Sequence, residues 1–157
     1  MARYTGTLVS AAALANDTGF AWLMGNATGG GVLRRVILGV RHTTAATAVT
    51  DFQCKVGIAR VTNAGTTPGG GVTLNPLMGR HRAAALVLST TFATPPTLQT
   101  PDQLIIPFNA KSGVDIPAEF LEEFEVDKLT TDGFAFLNRS GAMPANHVFD
   151  LFIEAEE

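Results

Sequence analysis

Hydrophobic and polar positions alternate with a period of two along much of this chain, the signature of half-buried β-strands. In TDFQCKVGIARV, Thr50 to Val61, the residues Phe52, Cys54, Val56 and Ile58 alternate with Asp51, Gln53, Lys55 and Gly57. In VLRRVILGVRH, Val36, Leu38 and Val40 point one way while Arg35, Ile37 and Arg41 point the other. The closing HVFDLFIEAE sets Phe149, Leu151 and Ile153 against Val148, Asp150, Phe152 and Glu154. Shorter runs predict further strands at Tyr4 to Ser10, Phe20 to Met24, Ala85 to Phe92, Leu104 to Phe108 and Gly133 to Asn138.

Between these runs lie GNATGGG, ATPPTLQTPD and NRSGAMPAN, where Gly, Pro and Asn mark turns. Eight or more short strands without intervening helices predict an all-β protein, an antiparallel β-sandwich of jelly-roll type with long Gly/Pro-rich loops. The segment IPAEFLEEFEVDKL, Ile116 to Leu129, is read as a turn leading into a strand, at most a short helical turn. The chain divides into an N-terminal arm over residues 1–7 and a single sandwich domain over 8–157.

The alternation carries a second message. On two strands the outer face is not uniformly polar, because Ile37, Val148 and Phe152 sit among charges. Mixed faces of this kind fit burial against another subunit, where apolar residues and paired charges combine.

Composition narrows the field. The 157 residues are 46% hydrophobic and 16% charged, with 16 Gly, 8 Pro and a net charge of −3. That balance argues against binding along a nucleic-acid backbone, which calls for a basic face. The single Cys54 cannot form an internal disulfide and reads as a small buried residue. No stretch reaches the ~18 to 20 apolar residues that a membrane helix needs. The start MARYTGTLVSAAALAND only imitates a leader, so the expectation is production in a cytoplasm.

Candidate chemistry is sparse. In NAGTTPGGGVTLNPL, Asn63 to Leu77, Gly71 is followed by Val72, Thr73 and Leu74, which excludes the Lys-Ser/Thr of a phosphate loop. Asn75 and Pro76 follow where a dinucleotide loop would open a helix. The stretch is therefore read as a long inter-strand connection and a candidate contact. His42, His81 and His147 show no metal spacing, and no nucleophile elbow is present. The expectation is a non-enzyme with no catalytic residues, metal or cofactor. The one basic cluster, Arg80, His81 and Arg82, follows that connection directly.

The run VGIARVTNAGTTPGGGVTLNPLMGRHRAAA, then TPPTLQTPDQLIIPFNAKSGVDI, then FDLFIEAEE, resembles small proteins encoded beside the structural genes of tailed bacteriophages. The residues that carry the resemblance are Arg60, Gly65 to Thr73, Thr94 to Thr97, Asn109 with Gly113, and Glu154, within Val32 to Glu157. It implies a jelly-roll decoration, or cement, protein on the outside of a virion, bound as a homotrimer to the major capsid protein. Nucleic acid and membrane are not expected as partners. Arg3, Tyr4, Arg80, His81, Arg82 and Phe152 are the expected capsid or subunit contacts, with residues 1–7 as the reaching arm. The competing expectations are a trimeric receptor-binding or tail-fibre head, a signalling ligand of similar fold, and a small carbohydrate-binding protein or enzyme.

Overall fold

The computed structural model describes residues 2–63, 65–79, 83–117 and 124–157, the side chains of Thr67 and Pro68 excepted. It is all-β: among the described residues there is no helix, and hence none long and apolar enough to cross a membrane. Eight strands make the frame. They are β1 (Arg3–Val9), β2 (Gly19–Met24), β3 (Gly31–His42), β4 (Gln53–Asn63), β10 (Leu104–Asn109), β11 (Val114–Ile116), β13 (Gly133–Asn138) and β14 (His147–Glu156). Between β4 and β10 the chain adds β5 (Thr66–Gly69), β6 (Asn75–Pro76), β7 (Val87–Ser89), β8 (Thr91–Thr94) and β9 (Thr97–Leu98), and β12 (Glu125–Val126) lies after β11.

The pairing is nested. β1 pairs β14, β2 pairs β13, β3 pairs β11 and β4 pairs β10, all antiparallel. First with last and fourth with fifth is a long hairpin wrapped on itself. It yields two sheets, β11-β3-β14-β1-β6 (sheet A) and β10-β4-β13-β2-β7 (sheet B). This is the jelly-roll arrangement that the strand pattern predicts.

The core lies where the alternation puts it. Tyr4, Leu8, Val36, Leu38, Phe149, Leu151 and Ile153 of sheet A meet Phe20, Leu23, Cys54, Val56, Ile58, Phe134 and Phe136 of sheet B. Phe20 stacks on Phe149 with ring centroids 5.0 Å apart. In β3 the phase slips at Arg34: Glu154 faces Arg35 but Ala155 faces Leu33, so one residue bulges and both Leu33 and Val36 reach the core.

The expected N-terminal arm over residues 1–7 is corrected by this pairing. Arg3 to Val9 is hydrogen-bonded to β14 on one side, and Tyr4 and Thr5 meet β6 on the other. Inward alternation buries Tyr4, Gly6 and Leu8 and leaves Arg3, Thr5, Thr7 and Val9 outside. The predicted strand Ala85 to Phe92 is two strands, β7 and β8, broken at Thr90. Of Ile116 to Leu129, residues 118–123 lie outside the described residues, and Glu125 and Val126 form β12 against Val32 and Gly31.

The Gly-rich stretch after β4 is structured as part of a clasp. β6 extends sheet A beside β1, β7 extends sheet B beside β2, and Val72 bridges to Leu88. Leu74, Leu86 and Leu88 enter the core from this insert. Its second half, β8 and β9, folds over the outside of sheet B. There Phe92 and Leu98 pack on Trp22, Met24, Ala59, Val61, Ala135 and Leu137, a second apolar cluster. Every residue of β13 is buried as a result. The Arg139–Asp102 fork, with Nε to Oδ2 at 2.7 Å, fixes the end of the insert to the β13–β14 turn. A Cβ on Gly57 would collide with that Asp102 carboxylate, so only glycine fits there.

Candidate interaction surface

The cluster around Trp22 on the outer face of sheet B is thus covered by the chain itself, while Ile105 and Val87 of the same sheet stay exposed. Sheet A carries no such second apolar cluster on its outer face among the described residues. Its outward positions fall into register rows across the strands. One row is Thr5, Glu154 and Arg35; the next is Thr7, Phe152, Ile37 and Asp115; the next is Val9, Asp150 and Gly39; and Arg41 stands opposite Val148 in the last. Phe152, Ile37 and Val9 therefore lie together in the middle rows, which also hold Asp115 and Asp150, while Glu154, Arg35 and Arg41 stand in the rows on either side.

Phe152 and Ile37 are half-buried, Val9 is 44% exposed, and Val148 is buried. Gly39 makes the centre concave, since a Cβ built on it meets nothing within 4 Å. Together with the turn after β10, Phe152, Ile37, Val9 and Gly39 bound an open groove of about 730 Å³. The turn is held by Asn109, whose Oδ1 accepts the Lys111 N–H at 2.9 Å, and by Gly113 at φ 64°, a left-handed position that suits glycine.

The margins are ion-paired. Arg3 meets Glu154 at 3.2 Å, Arg35 grips Asp115 with two nitrogens, and Arg41 meets Asp150 at 2.9 Å. Arg35 also feels the Glu154 charge, so the sign alternates along Arg3, Glu154, Arg35 and Asp115. The hydrogen-bonded Arg35 guanidinium holds the Asp115 carboxyl below the usual carboxylate range. Exposed pairs such as these stabilise a fold little, because solvent and salt screen them. Their larger effect is on what the face will accept.

A second exposed feature is the tip of the clasp. Leu77 and Met78 are 54% and 68% exposed, and the Leu77 N–H bonds the Arg3 carbonyl at 2.9 Å, placing the tip beside the start of β1. Arg80, His81 and Arg82 follow it in sequence and lie outside the described residues.

Comparison of the chain with protein-family models, with curated proteins and with solved structures found no match.

Of the expected contact residues, Phe152 lines the groove and Arg3 is exposed at its margin. Tyr4 is corrected: it is fully buried between the sheets, because its parity in β1 is inward. Gly39 and Val9 went unmarked in the sequence. Gly39 carried a usable signal, since a glycine at an outward position within a strand marks a depression or a close approach. Trp22, the one indole, is 7% exposed and stands edge-on to Phe92 at 5.4 Å under the insert. Among the described residues no group of three or more His, Cys, Asp or Glu side chains is placed to hold a metal ion.

Proposed function

We propose that this chain is a structural virion protein, a decoration or cement protein that binds the outside of an icosahedral phage head as a trimer. One observation carries the reading: a jelly roll with an open groove on the outer face of one sheet, where Phe152, Ile37 and Val9 lie among ion pairs. A surface built in that way serves protein contact. Jelly rolls recur in viral shells and also in lectins and cupins, so the fold alone does not decide among them. The resemblance of Val32 to Glu157 to phage-encoded proteins favours the first. Trp22 under the insert is no open platform for stacking a sugar, which weighs against the lectin alternative.

The exposed Leu77–Met78 tip, followed by Arg80 to Arg82, is the element proposed to touch the major capsid protein. It replaces the N-terminal arm in that role, because β1 is locked into sheet A. Binding to assembled shell but not to free subunits stabilises the shell by mass action, by about 2.7 kcal/mol when the free protein is at a hundred times its Kd. The test mixes the purified protein with expanded, undecorated heads of the encoding phage. Co-sedimentation and a raised disruption temperature are expected, with both reduced in Leu77→Asp/Met78→Asp. Heads that neither retain the protein nor gain resistance would refute the proposal.

A further inference from the structure

We propose that the outer face of β11-β3-β14-β1 is where one copy of this chain packs against the next. The inference rests on reading the chain as an oligomeric shell component, and it assigns that oligomer a surface.

The argument is electrostatic and steric together. The whole chain carries −3, so two copies brought together at random repel. This face is different: Arg3, Arg35 and Arg41 balance Glu154, Asp115 and Asp150. A partner of one uniform sign would be repelled by half of these charges. A partner of mixed sign and matching spacing would not, and a second copy has both properties. The alternating row starts on a cation at β1 and ends on an anion at β11. Placing the Arg3 side of one copy against the Asp115 side of another brings unlike charges together. Two faces related by a two-fold axis meet the same charge rule, and the trimeric reading selects the head-to-tail arrangement, which closes into a ring when the rotation allows. Between the charged margins, Phe152, Ile37 and Val9 supply apolar area of the sort found at interface centres, and the hollow over Gly39 accepts a side chain from the neighbour.

Gly39 also supplies a clean test. Because a Cβ there meets nothing within the chain, Gly39→Lys adds a long cation to the groove without disturbing the sandwich. Light scattering on the wild type should give three times the 16.5 kDa chain mass. Gly39→Lys should give the monomer mass, with an unchanged circular dichroism spectrum and self-association weakened about a hundredfold, because its long side chain fills the hollow that the neighbour has to enter. Ile37→Lys, which changes a neighbouring half-buried position, should do the same. A wild-type monomer at micromolar concentration overturns the inference, as does a folded Gly39→Lys that keeps the wild-type mass. If the variant keeps its mass but no longer co-sediments with heads, the face belongs to the shell and not to a second copy. If the wild type is trimeric and fails to bind heads, the phage reading falls and the self-association face stands.

Discussion

Cys54 shows how much a single position can report. It is fully buried opposite Phe108 in the β4–β10 ladder, and desolvation pushes its thiol from 9.0 up to about 11. In the unfolded chain the thiol ionises near 9, so the folded state holds a proton that the unfolded state releases between those values. The stabilisation is complete below about pH 9 and disappears as the pH rises through 11. Two outcomes are expected. At pH 8 a disulfide reagent should leave the native thiol unmodified and label it only on unfolding. The stability difference between wild type and Cys54→Ala should shrink from pH 9 to 11; a difference that stays flat would remove the coupling. The sequence already placed Cys54 on the buried parity of its strand. Gly57 and Ala59, on the opposite parity, look solvent-facing in the same pattern yet are buried, because their cover comes from Asp102 and Leu98, about forty residues on.

Among elements, the insert between β4 and β10 is the one whose structure hid most fully. β3, β4 and β14 are ten to twelve residues long and display several periods of alternation, enough to set their inner and outer faces. β5 to β9 are two to four residues each. Strands that short carry no period and take their form from partners distant in the chain. The strand pattern therefore gives no sign that Phe92 and Leu98 of the insert pack on Trp22, Met24, Ala59 and Leu137. Trp22 makes this cover measurable. As the one tryptophan it should emit at short wavelength in the native protein and resist quenching by acrylamide. Phe92→Ala removes the ring packed edge-on to it and should lower stability by about 3 kcal/mol, at the low end for a large-to-small change because Phe92 is only partly buried. The emission should shift red before the main unfolding transition. Emission that moves only with global unfolding would mean the insert and the sandwich open together.

For the whole molecule, nested pairing dictates kinetics. Of the four nested frame pairs, β4 with β10 and β3 with β11 close without waiting for β13 and β14, and the other two cannot. Sheet A needs β14 between β3 and β1, so its central ladder joins residues from opposite ends of the chain. Folds dominated by such distant contacts refold in milliseconds to seconds at comparable stability. Refolding from denaturant, followed by Trp22 fluorescence, should fall in that range; a microsecond phase carrying the full amplitude would contradict it. The two-sheet architecture was legible because composition and alternation act locally. The open groove was half legible, through Phe152 and Ile37, since a strand pattern tells which side chains share a face and says nothing of what lies over them.

The same pairing has a consequence during synthesis. Of these strands β1 leaves the ribosome first, and it meets its full-length partner last, since about 140 residues separate it from β14; at roughly 5–20 residues per second that interval is some 7 to 30 s. Through that time Tyr4 and Leu8, which the finished protein buries completely or nearly so, have no sheet to enter. The outward residues of the same strand, Arg3, Thr5 and Thr7, are polar or charged, and they keep the waiting segment soluble and poorly disposed to pair with another nascent chain. The residues that frame the groove in the folded molecule thus protect its first strand while the rest of the chain is still being made.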